Sequence, residues 1–210
     1  MRKLVFLIMA LCIGMQIPAF SQTLSKALDK EYKSKLKEYK KNGWKVDSDR
    51  SVEVVLMKYF SKLDAEGLKT IPGTASKCKS TNVCRQVALQ NAQTEYARLI
   101  SSKVKGAFGS VIRADANHPQ EEFDKTIGGV TTDLEADVSG ALEPAYSIYK
   151  ENGDGTKEYK TYYYRHDEKI LNGLQGVLEQ SMKETKLTIE EARSISKFVN
   201  DELNNANTGE

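Results

Sequence analysis

Cys78 and Cys84, with five residues between them, carry the most definite chemistry in this sequence. In an oxidising compartment that spacing predicts a disulfide tying a strand end to a helix start. The competing reading is a redox pair, but the C-x-x-C spacing that lowers a thiol pKa is missing. His118 and His166 are the only histidines. They lie far apart and match none of the spacings that hold a transition metal. No G-x-S-x-G elbow, Walker loop or G-x-G-x-x-G occurs. Asn152-Gly153-Asp154-Gly155 resembles part of a calcium loop, yet it has no closing glutamate and no flanking helix, so we read it as a hairpin turn. Glu121, Glu122, Asp124, Asp133, Glu135, Asp137 and Glu143 crowd residues 119–143 against Lys125 alone. Their helical spacing puts them on solvated faces, and Glu121 with Lys125 reads as an i,i+4 ion pair rather than one of the two acids of a glycosidase. No catalytic residue, cofactor or metal is predicted.

Tyrosines are the other chemical signal: Tyr146, Tyr149, Tyr159, Tyr162, Tyr163 and Tyr164 fall within twenty residues. The structural reading has them filling a sheet–helix interface from one face and lining a wet rim from the other. The functional reading is a stacking platform for a sugar or a peptide on Tyr162, Tyr164 and Tyr149. Tyr162 to Tyr164 are consecutive, so some of them are expected to point outward.

The first residues bear on location. Arg2 and Lys3 precede an apolar run over 4–17, and Ala19-Phe20-Ser21 offers small residues where a signal peptidase reads. Residues 1–21 are read as a signal peptide cleaved before Gln22, so the chain is expected to be exported to the periplasm, the outer membrane or the medium. The run is shorter than the roughly 20 residues that span a bilayer, so no transmembrane span is expected after cleavage. Cys12 sits mid-run behind Leu11, where a lipidation site needs a small residue. The chain has 31 basic and 29 acidic side chains, and removing Arg2 and Lys3 leaves them balanced, which argues against nucleic-acid binding.

These residues must be positioned by a mixed set of elements. A helix over 24–41 has the stripe Leu24, Leu28, Tyr32, Leu36 and Tyr39, with lysines crowding its other faces. We read it as a solvated packing helix; the alternative is an amphipathic contact with anionic lipid. A second helix over 52–65 ends at Gly67. Residues 68–78 read as a strand or edge segment interrupted at Pro72. The longest helix, over 84–104, carries Ala88, Ala92, Tyr96, Leu99, Ile100 and Val104, and the two alanines let it lie close against a sheet. A helix over 120–142 follows, weakened at Gly128-Gly129. Then comes a β-hairpin with strands over 145–151 and 157–165. Two helices close the chain, over 167–185 and from Thr188, where Thr188-Ile189-Glu190-Glu191 forms a capping box. The tail from Asn204 is expected to fray.

The order of parts resembles a known family. Gly73-Thr74-Ala75 leads into the Ala-rich helix over 87–104, with Ala88, Ala92, Tyr96, Ala97 and Leu99; an acidic helix and a Tyr-rich hairpin with Asp154-Gly155 at its turn follow. This resembles the LPP20-like lipoprotein family of bacterial envelope proteins and similar secreted proteins of Bacteroidetes, over residues 68–179. The resemblance implies helices on one face of a small antiparallel sheet, at the outer membrane or secreted, with no catalytic residue to carry over. The chain departs from it in lacking a lipidated cysteine.

The expectation is therefore an α+β fold: a small antiparallel sheet with a Tyr-rich hairpin packed against long helices, plus N- and C-terminal helices. The expected division is a signal peptide (1–21), an N-terminal helical pair (22–67), an LPP20-like core (68–180) and a C-terminal helix and tail (181–210). The functional expectation is a non-enzymatic envelope protein acting through binding or assembly, with an envelope component, a protein partner or further copies of itself as partner. The alternatives are a glycan- or peptide-binding module on the hairpin and, least favoured, a secreted hydrolase.

Overall fold

A computed structural model describes residues 24–112, 120–184 and 187–205. The expected leader with its cleavage position, Cys12 and the His118–Pro119 turn lie outside the described residues, as do the side chains of Glu121 and Phe123. Six α-helices and one four-stranded antiparallel sheet make an α+β fold among the described residues. The helices are α1 (Lys26–Lys41), α2 (Val52–Glu66), α3 (Thr81–Val111), α4 (Gln120–Asp137), α5 (Asp167–Glu184) and α6 (Ile189–Asn205). The strands are β1 (Lys45–Val46), β2 (Lys69–Cys78), β3 (Leu142–Glu151) and β4 (Lys157–Arg165), ordered β1-β3-β4-β2. None of the described helices is long and apolar enough to cross a membrane.

The sheet is covered on both faces, not on one as the family resemblance implies. Along β4 the side chains alternate. Tyr163 joins the core built by α3, α4, α5 and α6, while Tyr162 and Tyr164 join a second core with Tyr39 of α1 and Leu56, Tyr59 and Phe60 of α2. The apolar stripe of α1 is thus committed inward, against α2 and the sheet, which corrects the alternative of a lipid-facing amphipathic helix.

α3 sits on β2 and β4 through its small residues. Ala88, Ala92, Tyr96, Ile100 and Val104 are buried as the stripe requires, and Leu99 is half-buried. The close approach depends on Gly73 as well: a Cβ built there would lie 1.9 Å from the Ala88 carbonyl oxygen. The helix outruns its expected end, passing Gly106 and Gly109 to bury Ala107 and Phe108 completely. Each internal glycine costs a helix about 1 kcal/mol, and burying a phenylalanine returns roughly 2–3 kcal/mol, so burial wins.

Other boundaries also moved. β2 runs unbroken through Pro72, which pairs with Tyr162. β2 is an edge strand, where alternate N–H groups have no ladder partner, so the missing donor is tolerated. α4 passes Gly128-Gly129 as one helix; the Thr131 and Thr132 hydroxyls donate to the carbonyls of Ile127 and Gly128 there. It stops at Asp137, a single 3-10 turn spans Val138–Ala141, and β3 begins at Leu142, paired with Arg165. The hairpin turn is closed by Asn152 N–H donating to Thr156 O (2.8 Å), with Gly155 at φ +76°. That is a three-residue loop with a left-handed glycine rather than a two-residue turn. The capping box forms as expected: Glu191 N–H donates to Thr188 Oγ1 (3.2 Å), and Thr188 N–H donates to Glu191 Oε2 (2.7 Å). α6 continues through Asn205, beyond the expected frayed start.

Candidate functional site

The predicted site residues divide into three places. Cys78 and Cys84 are bonded, with Cα atoms 5.5 Å apart. The bond joins the last residue of β2 to the first turn of α3 and lies buried against Ala75, Ala88 and Tyr159. Tyr162 and Tyr164 are 9% and 4% exposed beneath α1 and α2. Tyr149 lies half-buried on the opposite face of the sheet, paired in register with Tyr159. The three tyrosines therefore do not share a surface. A sheet covered on both sides leaves consecutive tyrosines no outward direction, and the expectation that some would point to solvent is corrected accordingly.

The Tyr162 face is an aromatic layer closed by hydroxyls. Tyr146 and Tyr162 stack at 4.8 Å with 13° between their planes, and Tyr59 stacks on Tyr164 at 5.8 Å. The Tyr39 hydroxyl lies 3.0 Å from that of Tyr146 and donates to that of Tyr162 at 3.2 Å. One hydroxyl has one proton, so the order is fixed: Tyr146 donates to Tyr39, which donates to Tyr162. Burial pushes the phenols of Tyr39, Tyr59 and Tyr146 well above their ordinary range, and that of Tyr164 to about 12. These groups serve as neutral hydrogen-bond donors and acceptors rather than as bases. The ammonium groups of Lys35 and Lys62 lie over the rings of Tyr162 and Tyr164, at 4.9 and 4.5 Å, and close the layer from the helix side.

Three charged clusters went unread in the sequence, because their members are remote in the chain or turn around a corner. At the end of β4, Arg165 grips Asp167 with two hydrogen bonds (3.1 and 2.7 Å), and the Tyr96 hydroxyl donates to the same carboxylate at 2.5 Å. Arg165 is 6% exposed, and Lys69 beside it donates to the Leu203 carbonyl at the end of α6. Burial holds the Lys69 ammonium below its usual pKa. Near the disulfide, Arg85 of α3 donates to Asp47 Oδ2 at 2.8 and 3.0 Å, and the Tyr159 hydroxyl donates to the same oxygen. At the third corner the Glu143 carboxylate accepts from Lys62 (2.8 Å) and contacts His166 Nε2 (3.0 Å), which holds it below the ordinary carboxylate range. The spacing Arg165-x-Asp167 at a strand-to-helix junction was the one legible trace of these clusters.

Each cluster joins elements: the Arg165 cluster is buried, whereas Arg85 and Glu143 are partly exposed and Lys62 also lines the groove along α2. Among the described residues no buried side-chain nitrogen or oxygen lacks a partner. The Asp154 carboxylate accepts from the Thr156 N–H (2.9 Å) and hydroxyl, so it is engaged in closing the hairpin turn.

What remains on the outside are helix faces and half-buried sheet ends. Tyr149 lies between the ammonium groups of Lys45 (5.9 Å) and Lys157 (5.0 Å). A groove of about 850 Å³ runs between α5 and α6, floored by Leu178, Leu187 and Ala192 and rimmed by Glu179, Lys183 and Arg193. A shallower groove of about 720 Å³ follows α2, past the exposed Val54 and Met57 and the cations Arg50 and Lys58. The arrangement can present charge and modest apolar area to a partner. Comparison with protein-family models, curated proteins and solved structures finds no match for the chain.

Proposed function

We propose that this is an exported, non-enzymatic protein of the cell envelope that acts through binding or assembly. One observation carries the reading: the chemically richest residues of the chain are engaged with one another. The tyrosine layer is closed under α1 and α2, Arg165 is buried against Asp167, and the more exposed Arg85 and Glu143 are each held by a partner from another element. The outer helix faces, charged and with Val54, Met57 and Ile189 exposed, are what the protein offers to others. Export is supported by the basic start, the apolar run and the small residues before Gln22, and by the Cys78–Cys84 bond, which persists in oxidising compartments. The resemblance to LPP20-like envelope proteins points the same way.

The test is co-sedimentation with purified outer membrane and with peptidoglycan across a salt series, on protein recovered from the producing cell and sequenced at its N-terminus. We expect the chain to begin at Gln22 and to pellet with one of the two fractions. An uncleaved N-terminus overturns the export reading, and a chain that pellets with neither fraction overturns the envelope reading.

A second reading, a glycan- or peptide-binding module on the hairpin, is favoured by Tyr149 and its two flanking lysines. Tyr149→Ala should then abolish pelleting with peptidoglycan while leaving the thermal transition in place.

A further inference from the structure

We infer that copies of this chain stack head to tail, the lysine face of α1 in one copy lying against the acidic α4 of the next. The inference rests on the assembly reading above and names its partner. α1 holds seven lysines against three carboxylates. Lys33 and Lys35 are paired within the helix to Asp29 and Glu31, and Lys40 is paired to Glu53 of α2. Lys26, Lys30, Lys37 and Lys41 are exposed and have no carboxylate partner among the described residues. At about 100° per residue these four fall within an arc of roughly 60°, in a row about 22 Å long. They form one stripe along the outer side of the helix, opposite the buried Tyr39.

The opposite charge lies on the other side of the same molecule. α4 carries six carboxylates against Lys125. It packs on α3 and α5 through Ile127, Val130 and Leu134, on the sheet face that α1 does not touch. Asp133 and Asp137 are exposed on it. α1 and α4 are of similar length, 16 and 18 residues, and Asp133 and Asp137 lie one turn apart on one side of α4. The two faces cannot meet within one chain, because the sheet lies between them. Because the two faces lie on opposite sides, a two-fold contact through either one would set that face against its own copy and bring like charges together. The contact that pairs opposite charges is heterologous, and such contacts repeat rather than close unless the rotation forms a ring. A lipid surface fits α1 less well, because its apolar side chains already fill the core beneath it. The contact is made of solvated ion pairs, so it must weaken steeply as salt shortens the screening length from about 20 Å to below 8 Å.

Sedimentation velocity on the purified chain, over a concentration series in about 20 mM and about 300 mM salt, reads this directly. The expected result is growth beyond dimer at low salt and reversion to monomer at high salt. K30E/K37E and D133K/D137K alter exposed side chains, of which Asp137 also reaches Gly173 of α5, and circular dichroism checks that each stays folded. Each variant alone should associate at least about tenfold more weakly, and an equimolar mixture should recover association, because each variant then faces a complementary partner. The neutral K30Q/K37Q should also weaken association, and mixed with D133K/D137K it should reach a heterodimer and grow no further, because only one of the two contacts is then complementary. Wild-type chain that stays monomeric at low salt overturns the inference, as does association that persists in either charge-reversed variant alone, or a mixture that stays monomeric. A chain that is monomeric yet pellets with an envelope fraction removes the stacking and leaves the envelope reading standing. A chain that stacks but pellets with neither fraction does the reverse.

Discussion

Replacing Gly73 by alanine adds one methyl group at the tightest contact between sheet and helix. The new Cβ would fall 1.9 Å from the Ala88 carbonyl oxygen, 2.8 Å from its carbon and 3.0 Å from the Ala92 Cβ. Two of these atoms are helix backbone, so no side-chain rotation can relieve the clash. α3 must move by about 1.5 Å to restore an ordinary contact of roughly 3.4 Å, and it carries eight buried side chains with it. Over-packing of a dense core costs about 1–3 kcal/mol, and a clash with backbone belongs at the upper end. The alanine also stiffens the unfolded chain, which stabilises by about 0.4–1 kcal/mol, leaving a net loss of roughly 2–2.5 kcal/mol. Urea unfolding followed by circular dichroism measures this as a lower midpoint at unchanged slope, and at about 2–4 °C per kcal/mol the thermal midpoint should fall by roughly 4–10 °C. Gly140→Ala serves as the control, because nothing lies within 4 Å of a Cβ there. A Gly73→Ala protein within about 0.5 kcal/mol of wild type would refute the claim that α3 and β2 are packed at backbone distance.

Other consequences are open to the same instruments. Cys78→Ser with Cys84→Ser should lower stability by roughly 2–3 kcal/mol, and reductant should shift the midpoint of the wild type but not of the variant. Tyr39→Phe breaks the hydroxyl chain from Tyr146 to Tyr162 and should cost about 1–2 kcal/mol in urea unfolding. Seven of the ten tyrosines have phenols raised above their ordinary range, mainly by burial. The folded state therefore keeps protons that the unfolded state loses, and stability must decline once pH passes the unfolded value of about 10. Absorbance at the phenolate band should rise for the buried tyrosines together with unfolding rather than before it. At the acid end the sign reverses. Glu143 is held below its usual range, chiefly by the Lys62 hydrogen bond, so its contribution is present above pH about 4.3 and is lost as pH falls through its folded value. Glu143→Gln should make the acid limb of the stability profile shallower.

The sequence was most readable where a local rule decides the structure alone. Gly67 stopped α2, Thr188 and Glu191 capped α6, and the turn residues between Glu151 and Lys157 closed the hairpin, all within reach of their own neighbours. The α3 stripe was readable because its period is regular over many turns. The two-sided cover of the sheet was not. A strand buried on one face alternates, whereas Tyr162-Tyr163-Tyr164 is apolar-faced throughout, and a run of large residues cannot say which of them meets solvent. The charged clusters were hidden for a different reason: Asp47, Arg85 and Tyr159 meet only because β1, α3 and β4 are brought to one corner by the sheet. Glycine penalties misled at Gly106 and Gly109, where tertiary burial of Phe108 overrides propensity.

The order of strands in the sheet has a consequence for how the molecule is assembled in time. Only β3 and β4 are neighbours in sequence; β1 with β3, and β2 with β4, join residues roughly a hundred positions apart. The two helices at the start have no sheet to rest on until the hairpin near the other end of the chain has been made. The hairpin is the local event, formed in about 1–10 µs, and β2 must then find its edge across a long closing loop. The slow step is therefore expected to be the docking of the first half of the chain onto the second. A chain cut short before Lys157, and so lacking β4, should remain without a sheet, however complete its earlier helices.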